Sequence, residues 1–462
     1  MADLFTMLQT TSRSLETQRY ALDVVGQNIA NVNTPGYARR VVDIAAVPPY
    51  EPRSAGSGAE VLSVRAIRDR FLDRRVREEM SAEQAAAAAA DILALLETGI
   101  GAPGTSVDGD LDDLFDAFAS LAEAPTSSTA RIEVVTEAQK LAATFNTLAG
   151  GLAEAARDVD VRVRATVDQI NALARQIADL NGSLAGMAPG APEALHVRDQ
   201  VIQALESLSA LIDVQAVEVE SGGFDVSIGS GRLLVVANTP YEIGTTPRDG
   251  TGVSDIVAAG QVITGEIAGG TLGGLLDVRD VKMPAYLQHL DRLAYEVAQN
   301  INAIHAGGYD LQGNPGVAFF EPLASVAGAA AALRVNGALS APGGERLVAA
   351  STSPTAPGNN ENARALAALR DQPVVGGTAT FAETWAQFVY EVGRDAASAS
   401  EAAVSRGEVL RQVTNLRDGV SGVSLDEEAA NMLRFQRAYE ANARYFKTVD
   451  ELLVTLMGLV EA

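Results

Sequence analysis

Cysteine is missing from all 462 positions, which excludes disulfides, thiolate nucleophiles and cysteine-held metal sites. Histidine is nearly missing. His196, His289 and His305 are the only three, and none has another histidine three or four residues away, so no zincin-type pair can form. Basic residues are few beside acidic ones, 35 against 59, giving a formal charge of −24 and a pI near 4.5. Such a surface repels phosphate backbones, so nucleic acid is not an expected partner. Long apolar runs are also lacking. The longest, Ala85–Leu96, is alanine-rich, contains Asp91 and is too short to span a bilayer, so no membrane span is expected. The first residues, Met-Ala-Asp onward, offer no basic region followed by an apolar core. A Sec-type signal peptide is therefore not expected, and export would need another route.

The patterns that could carry chemistry fail on inspection. Asp108, Asp110, Asp112 and Asp113 imitate the start of a calcium loop, but Asp113 stands where glycine is needed and Ala119 where a bidentate glutamate belongs. A helix N-terminus accounts for these acids better. Gly269–Gly274 (GGTLGG) lacks the lysine and hydroxyl of a phosphate loop, and no GxSxG elbow occurs. Arg65, Arg68, Arg70, Arg74, Arg75 and Arg77 alternate with Asp69, Asp73, Glu78 and Glu79, the pattern of a salt-bridged helix face. His196 and His289 are expected on helix surfaces, and His305 at a helix C-terminus that favours its charged form. No catalytic, cofactor or metal residue is assigned.

What the chain does have is a mean hydropathy of +0.09 with 47% hydrophobic residues, enough for substantial cores, over a length that suggests two or three domains. Leu8, Leu15, Leu22 and Ile29 recur every seven residues, joined by Leu4 and Val25, and predict one amphipathic helix over 3–32. Asn33, Thr34, Pro35 and Gly36 stop it. The other end mirrors this. Met432, Tyr439, Phe446, Leu453 and Val460 form one heptad series, and Phe435, Asn442, Val449 and Leu456 form the second. Ser424 and Glu427 predict a capping box at its start. Each end carries one narrow apolar seam and needs a partner, so the two are expected to pair as a coiled coil.

Between the ends, Val61, Leu62 and Val64 predict a short strand, and helices are expected over 66–100, 110–123, 130–181 and 193–211. From Val214 the apolar period switches to two and stays so to Ile267. Pro284 is expected to open a further helix to Gly307, and helices resume over 381–417. The expected fold is multidomain α+β. Residues 1–38 and 424–462 form the terminal coiled coil, and 39–212 with 273–423 form a long-helix bundle body. Residues 213–272 form an inserted β-rich outer domain, with 323–380 left open as a possible part of it.

Ala30-Asn31-Val32-Asn33-Thr34-Pro35-Gly36-Tyr37, at the end of an N-terminal heptad helix, resembles the signature of flagellar rod, hook and hook-associated axial proteins. The C-terminal stretch Gly422–Asn431, running on through Phe435-Gln436-Arg437-Ala438-Tyr439, is similar to the end of the hook-associated protein 1 family. Gly269–Asp280 (GGTLGGLLDVRD), Leu290–Ala294, Gly308–Leu311 and Val64–Leu72 match it too. The resemblance covers nearly the whole chain except 323–380, and departs from the family at His196, where an acid is usual. It implies a non-enzymatic, cofactor-free subunit of the extracellular flagellum, placed at the hook–filament junction after type III export. It also implies association with further copies, hook protein on one side, the next hook-associated protein on the other, and a cytoplasmic export chaperone at the C-terminal region. The assembly interface would then be Leu8, Leu15, Leu22, Val25, Ile29, Met432, Phe435, Tyr439, Phe446, Val449, Leu453 and Leu456. A hook or rod subunit shares the N-terminal motif and is the nearest rival. A secreted adhesin or enzyme on the same scaffold would need a catalytic constellation in the middle region.

Overall fold

The computed structural model describes residues 2–48, 57–101, 106–188, 190–220, 222–229 and 231–460. The first helix, α1 (Ala2–Ala30), runs into a turn in which Gly36 takes a left-handed φ of 77°. A two-stranded antiparallel hairpin follows, β1 (Arg40–Ala46) and β2 (Ala59–Ala66), with a bulge after Asp43. Only its second strand was expected. In β1 the alternation is broken by the adjacent Val41 and Val42, and the prolines beyond it read as loop.

The body is built on two long helical axes. Helix α2 (Arg70–Ile100) lies along α11 (Phe381–Ser421), and α4 (Ser128–Ala185) packs against α3 (Val107–Glu123) and α5 (Pro192–Leu211). At ~1.5 Å per residue, the 58 residues of α4 reach roughly 87 Å. Two small antiparallel sheets lie against α4. One holds β3 (Val214–Glu218), β4 (Phe224–Ile228), β5 (Arg232–Val236) and β6 (Thr239–Pro240); the other holds β7 (Ile243–Pro247), β8 (Ser254–Ala258) and β9 (Gln261–Val262). Side chains on α4 act as missing strand partners. Asn181 donates to the carbonyls of Phe224 and Ala237 at 2.8 Å and accepts from the Phe224 amide at 3.0 Å; Asn171 does the same with Ile243. Asp160 accepts from the Ser254 amide at 2.7 Å and from the buried Arg279 at 2.6 Å. The apolar sides of the strands join the same buried core as the helices.

The glycine-rich stretch is a packing device. It forms α6 (Gly270–Asp277), and a Cβ on Gly274 would overlap the Ala85 carbonyl oxygen of α2, while one on Gly270 would overlap the backbone at Leu211–Ile212. Pro284 stands in the first turn of a helix that ends at Gly307, as expected, but that helix does not start from a loop. A π-turn, Val278–Lys282, carries α6 directly into α7 (Met283–Ala306), and the wider turn sits just where proline's missing donor would break α-helical bonding. Residues 323–380 form the short helices α8 (Ala329–Ala332), α9 (Gly337–Ser340) and α10 (Glu361–Ala368) among loops, packed on α3, α4 and α7. The last helix, α12 (Leu425–Val460), returns to pair with α1.

Candidate assembly interface

Helices α1 and α12 pack against each other, and most of the residues of the sequence seam are at least half-buried. Leu8, Leu15, Leu22 and Ile29 are half-buried, and Val25 is buried; on α12, Met432, Phe435 and Phe446 are half-buried, and Val449 and Leu453 are buried. Tyr439 and Leu456, 39% and 37% exposed, stand at the margin of the seam. A different stripe of α1 holds the hairpin. The Thr17 hydroxyl donates to the Ala59 carbonyl at 2.8 Å, and Val24 forms a small core with Val64 and Leu195, separate from that of the body. A Cβ on Gly58 would lie 2.9 Å from the Thr10 carbonyl oxygen, so the hairpin fits closely only without one.

The segment 30–37 is a turn whose job is positional. The Thr34 amide donates to the Asn31 carbonyl at 2.9 Å and its hydroxyl to the Asn31 side chain at 3.1 Å; the Tyr37 amide donates back to the Thr34 carbonyl at 3.2 Å. Asn33 and Pro35 are exposed at its tip. This fold swings the Tyr37 hydroxyl onto Asn28 at 2.8 Å. Burial above all pushes the Tyr37 hydroxyl up to about 12, so it remains a donor.

Asn28, 1% exposed, is the hub. Its side-chain carbonyl accepts from the Arg40 amide at 2.9 Å, and its amide donates to the Arg40 carbonyl at 2.9 Å and to the Glu428 carboxylate at 3.0 Å. Glu428, in the first turn of α12 and 1% exposed, also accepts from Arg39 Nε at 2.7 Å. Arg39 reaches Glu427 at 2.6 Å as well, and its amide donates to the Ser421 carbonyl at 2.9 Å. Three charged or polar side chains thus tie the end of α1, the start of β1 and the start of α12. The expected capping box is only half formed. The Glu427 amide meets Ser424 Oγ at 3.5 Å, but the Glu427 carboxylate serves Arg39 instead of the cap.

A second tier ties this module to the body. Asp199 on α5 accepts from Arg68 at 2.8 Å and Arg40 at 3.3 Å, and Arg68 also donates to the Gly36 carbonyl at 2.6 Å. Below it, Glu206 pairs with Arg417 at 2.7 Å, beside Asp73 and Arg77. Burial pushes the Asp73 and Glu206 carboxyls up and the Arg77 guanidinium down. The arginine run is salt-bridged as expected, Arg74 and Arg75 pairing with Glu78 and the buried Glu79, but Arg68 and Arg77 are turned inward. Sequence reasoning missed Asn28, Arg39, Asp199 and Glu428. The one signal for Asn28 was a polar side chain among Val24, Val25 and Ile29.

The histidines fall into two kinds. His196 is exposed, and His289 lies on the surface 3.5 Å from Glu391. His305 is not a charged helix cap as expected but a neutral core residue, 0% exposed. Its Nδ1 meets the Val317 carbonyl at 2.6 Å, and its Nε2 accepts from the Ala349 amide at 2.9 Å. Burial pushes it down to about 4, because the imidazolium would lose its hydration with no carboxylate to replace it. Among the described residues no cluster of three metal-ligating side chains occurs, and no helix is long and apolar enough to cross a membrane.

Three family models match the chain: the flagellar hook-associated protein FlgK helical domain over residues 93–320, the flagellar basal body rod FlgEFG protein C-terminal region over 419–459, and the flagella basal body rod protein over 8–37. The flagellar hook-associated protein 1 of Bacillus subtilis is 27% identical, with 98% of each chain covered; that of Escherichia coli is 23% identical, covering 98% of this chain and 99% of its own. A solved structure, the flagellar hook junction protein FlgK from Burkholderia pseudomallei, shares the fold. Its TM-score is 0.66 at 17% identity, covering 75% of this chain and all of the other.

Proposed function

The chain belongs to the flagellar hook-associated protein 1 family, a component of the extracellular flagellum, and on that premise we propose that it builds the hook–filament junction by self-assembly through its terminal helix pair. The observation that carries this reading is the apolar surface the pair leaves uncovered. On α12, Leu433, Leu452, Val454 and Met457 are each more than half exposed, and on α1 Phe5 is 63% exposed. Burying one such side chain contributes about 1.5–3 kcal/mol, and this many exposed apolar side chains on one helix pair mark a protein contact. The seam from Leu8 to Ile29 and from Met432 to Leu456 forms the pair, and its outer face receives other copies. The hook and the next hook-associated protein lie above and below. The same apolar face needs cover before export by the flagellar type III route, which supports a cytoplasmic chaperone at the C-terminal region. The relatives are flagellar hook-associated proteins, which supports a structural, non-enzymatic role for this chain.

Rod-protein models match both ends, which fits a rod or hook subunit equally well. The match over 93–320 favours the junction. Immunogold labelling of isolated flagella, with wild type beside Leu452→Asp/Met457→Asp, tests the reading. Label should sit between hook and filament in wild type. The variant, altered only at exposed positions, should be exported and folded yet lost to the medium, leaving hooks without filaments. Attached filaments in the variant would refute assembly through this face.

A further inference from the structure

The exposed flanks of the terminal pair carry opposite charges. One stripe of α1 faces α12 and another holds the hairpin; the remaining flank presents Glu16 and Asp23, both exposed and one heptad apart, about 10.5 Å along the axis. On α12, Arg437 and Arg444 are also exposed and one heptad apart, on the side away from Phe435, Phe446 and Val449, with Arg434 beside them over the Phe435 ring. None of these five forms an ion pair among the described residues, and neither do Arg19 and Glu440, which stand between them. Charges at outer positions of a two-helix coil do nothing for that coil. Here they border the exposed Leu433 and Tyr445.

The charge distribution points the same way. Residues 1–66 hold six basic and six acidic side chains and 425–462 hold four and seven, so nearly all of the −24 lies in the body. Copies can approach at their termini without the repulsion their bodies would feel. Flanks that are complementary rather than self-complementary make a heterologous contact, which repeats into a ring or helix instead of stopping at a dimer.

Resting on the reading that copies assemble through this pair, we propose that Glu16 and Asp23 of one copy dock against Arg437 and Arg444 of the next. The contact sets which flanks meet and gives the assembly its direction. All four side chains are exposed, so reversing them leaves each subunit's fold intact.

The test is concentration-dependent assembly of the purified full-length chain, followed by analytical sedimentation. Variants are Glu16→Arg/Asp23→Arg, Arg437→Glu/Arg444→Glu, the two combined, and Leu452→Asp as a reference. Each one-sided reversal should raise the half-assembly concentration roughly ten-fold at low salt, shrinking as salt screens the pairs. The combined variant should return to within about two-fold of wild type. Unchanged assembly on one-sided reversal overturns the docking. So does failure of the combined variant to recover. In both cases a Leu452→Asp defect leaves the proposed function standing, whereas normal assembly by Leu452→Asp as well brings down that reading itself.

Discussion

Removing the Glu428 carboxylate should loosen both terminal helices while leaving the body untouched. Glu428 is 1% exposed and accepts from Asn28 at 3.0 Å and Arg39 at 2.7 Å. In Glu428→Ala, Arg39 is partly relieved, because it is 18% exposed and keeps Glu427 at 2.6 Å. Asn28 is not. Its amide loses one acceptor in a buried site, a penalty of about 1–3 kcal/mol, to which the lost charge-assisted bond adds. A total of about 2–3 kcal/mol is expected, which raises the opening constant of the module roughly 30- to 150-fold. Glu428→Gln retains an acceptor for Asn28 and should cost about half as much. Amide hydrogen exchange resolves this by region. Protection should fall by that factor in α1, β1 and α12 and stay unchanged in α4 and α7, because the small core at Val24, Val64 and Leu195 is separate from that of the body. Equal loss of protection in α4, or none in α1, would show that Asn28 and Glu428 do not join the two ends.

Gly274→Ala should cost the body about 3 kcal/mol in urea unfolding, since its methyl meets the Ala85 backbone, whereas Gly150→Ala, with nothing nearby in the middle of α4, should stabilise by up to ~1 kcal/mol. For His305, the folded value near 4 lies below the unfolded 6.5, so the unfolded chain binds more protons in that window. Its contribution, roughly 3 kcal/mol, is fully present above pH 6.5 and is lost as pH falls to 4. Replacing His305 by Gln should flatten that part of the stability–pH curve, while His196→Gln and His289→Gln leave it unchanged.

The terminal helices, the switch to strands at Val214 and the stop at Pro35-Gly36 were legible because each is a local pattern. A heptad repeat, a two-residue alternation or a proline beside a glycine acts on the backbone within a few residues. The same locality made some readings fail. Ser424 and Glu427 have the spacing of a capping box, but Arg39, far away in sequence, competes for the carboxylate and wins with a charge. GGTLGG was readable only as not being a phosphate loop, and its packing role shows once Ala85 is set against it. His305 has the position of a charged helix cap, and only the arrival of Val317 and Ala349 makes it neutral. The sequence alone settled the helical ends and the family they resemble. The tertiary structure alone decided what the motif at 30–37 is for, because the buried hydrogen bond from Asn28 to Glu428 spans 400 residues, and no periodicity encodes which distant polar groups must satisfy each other once water is gone.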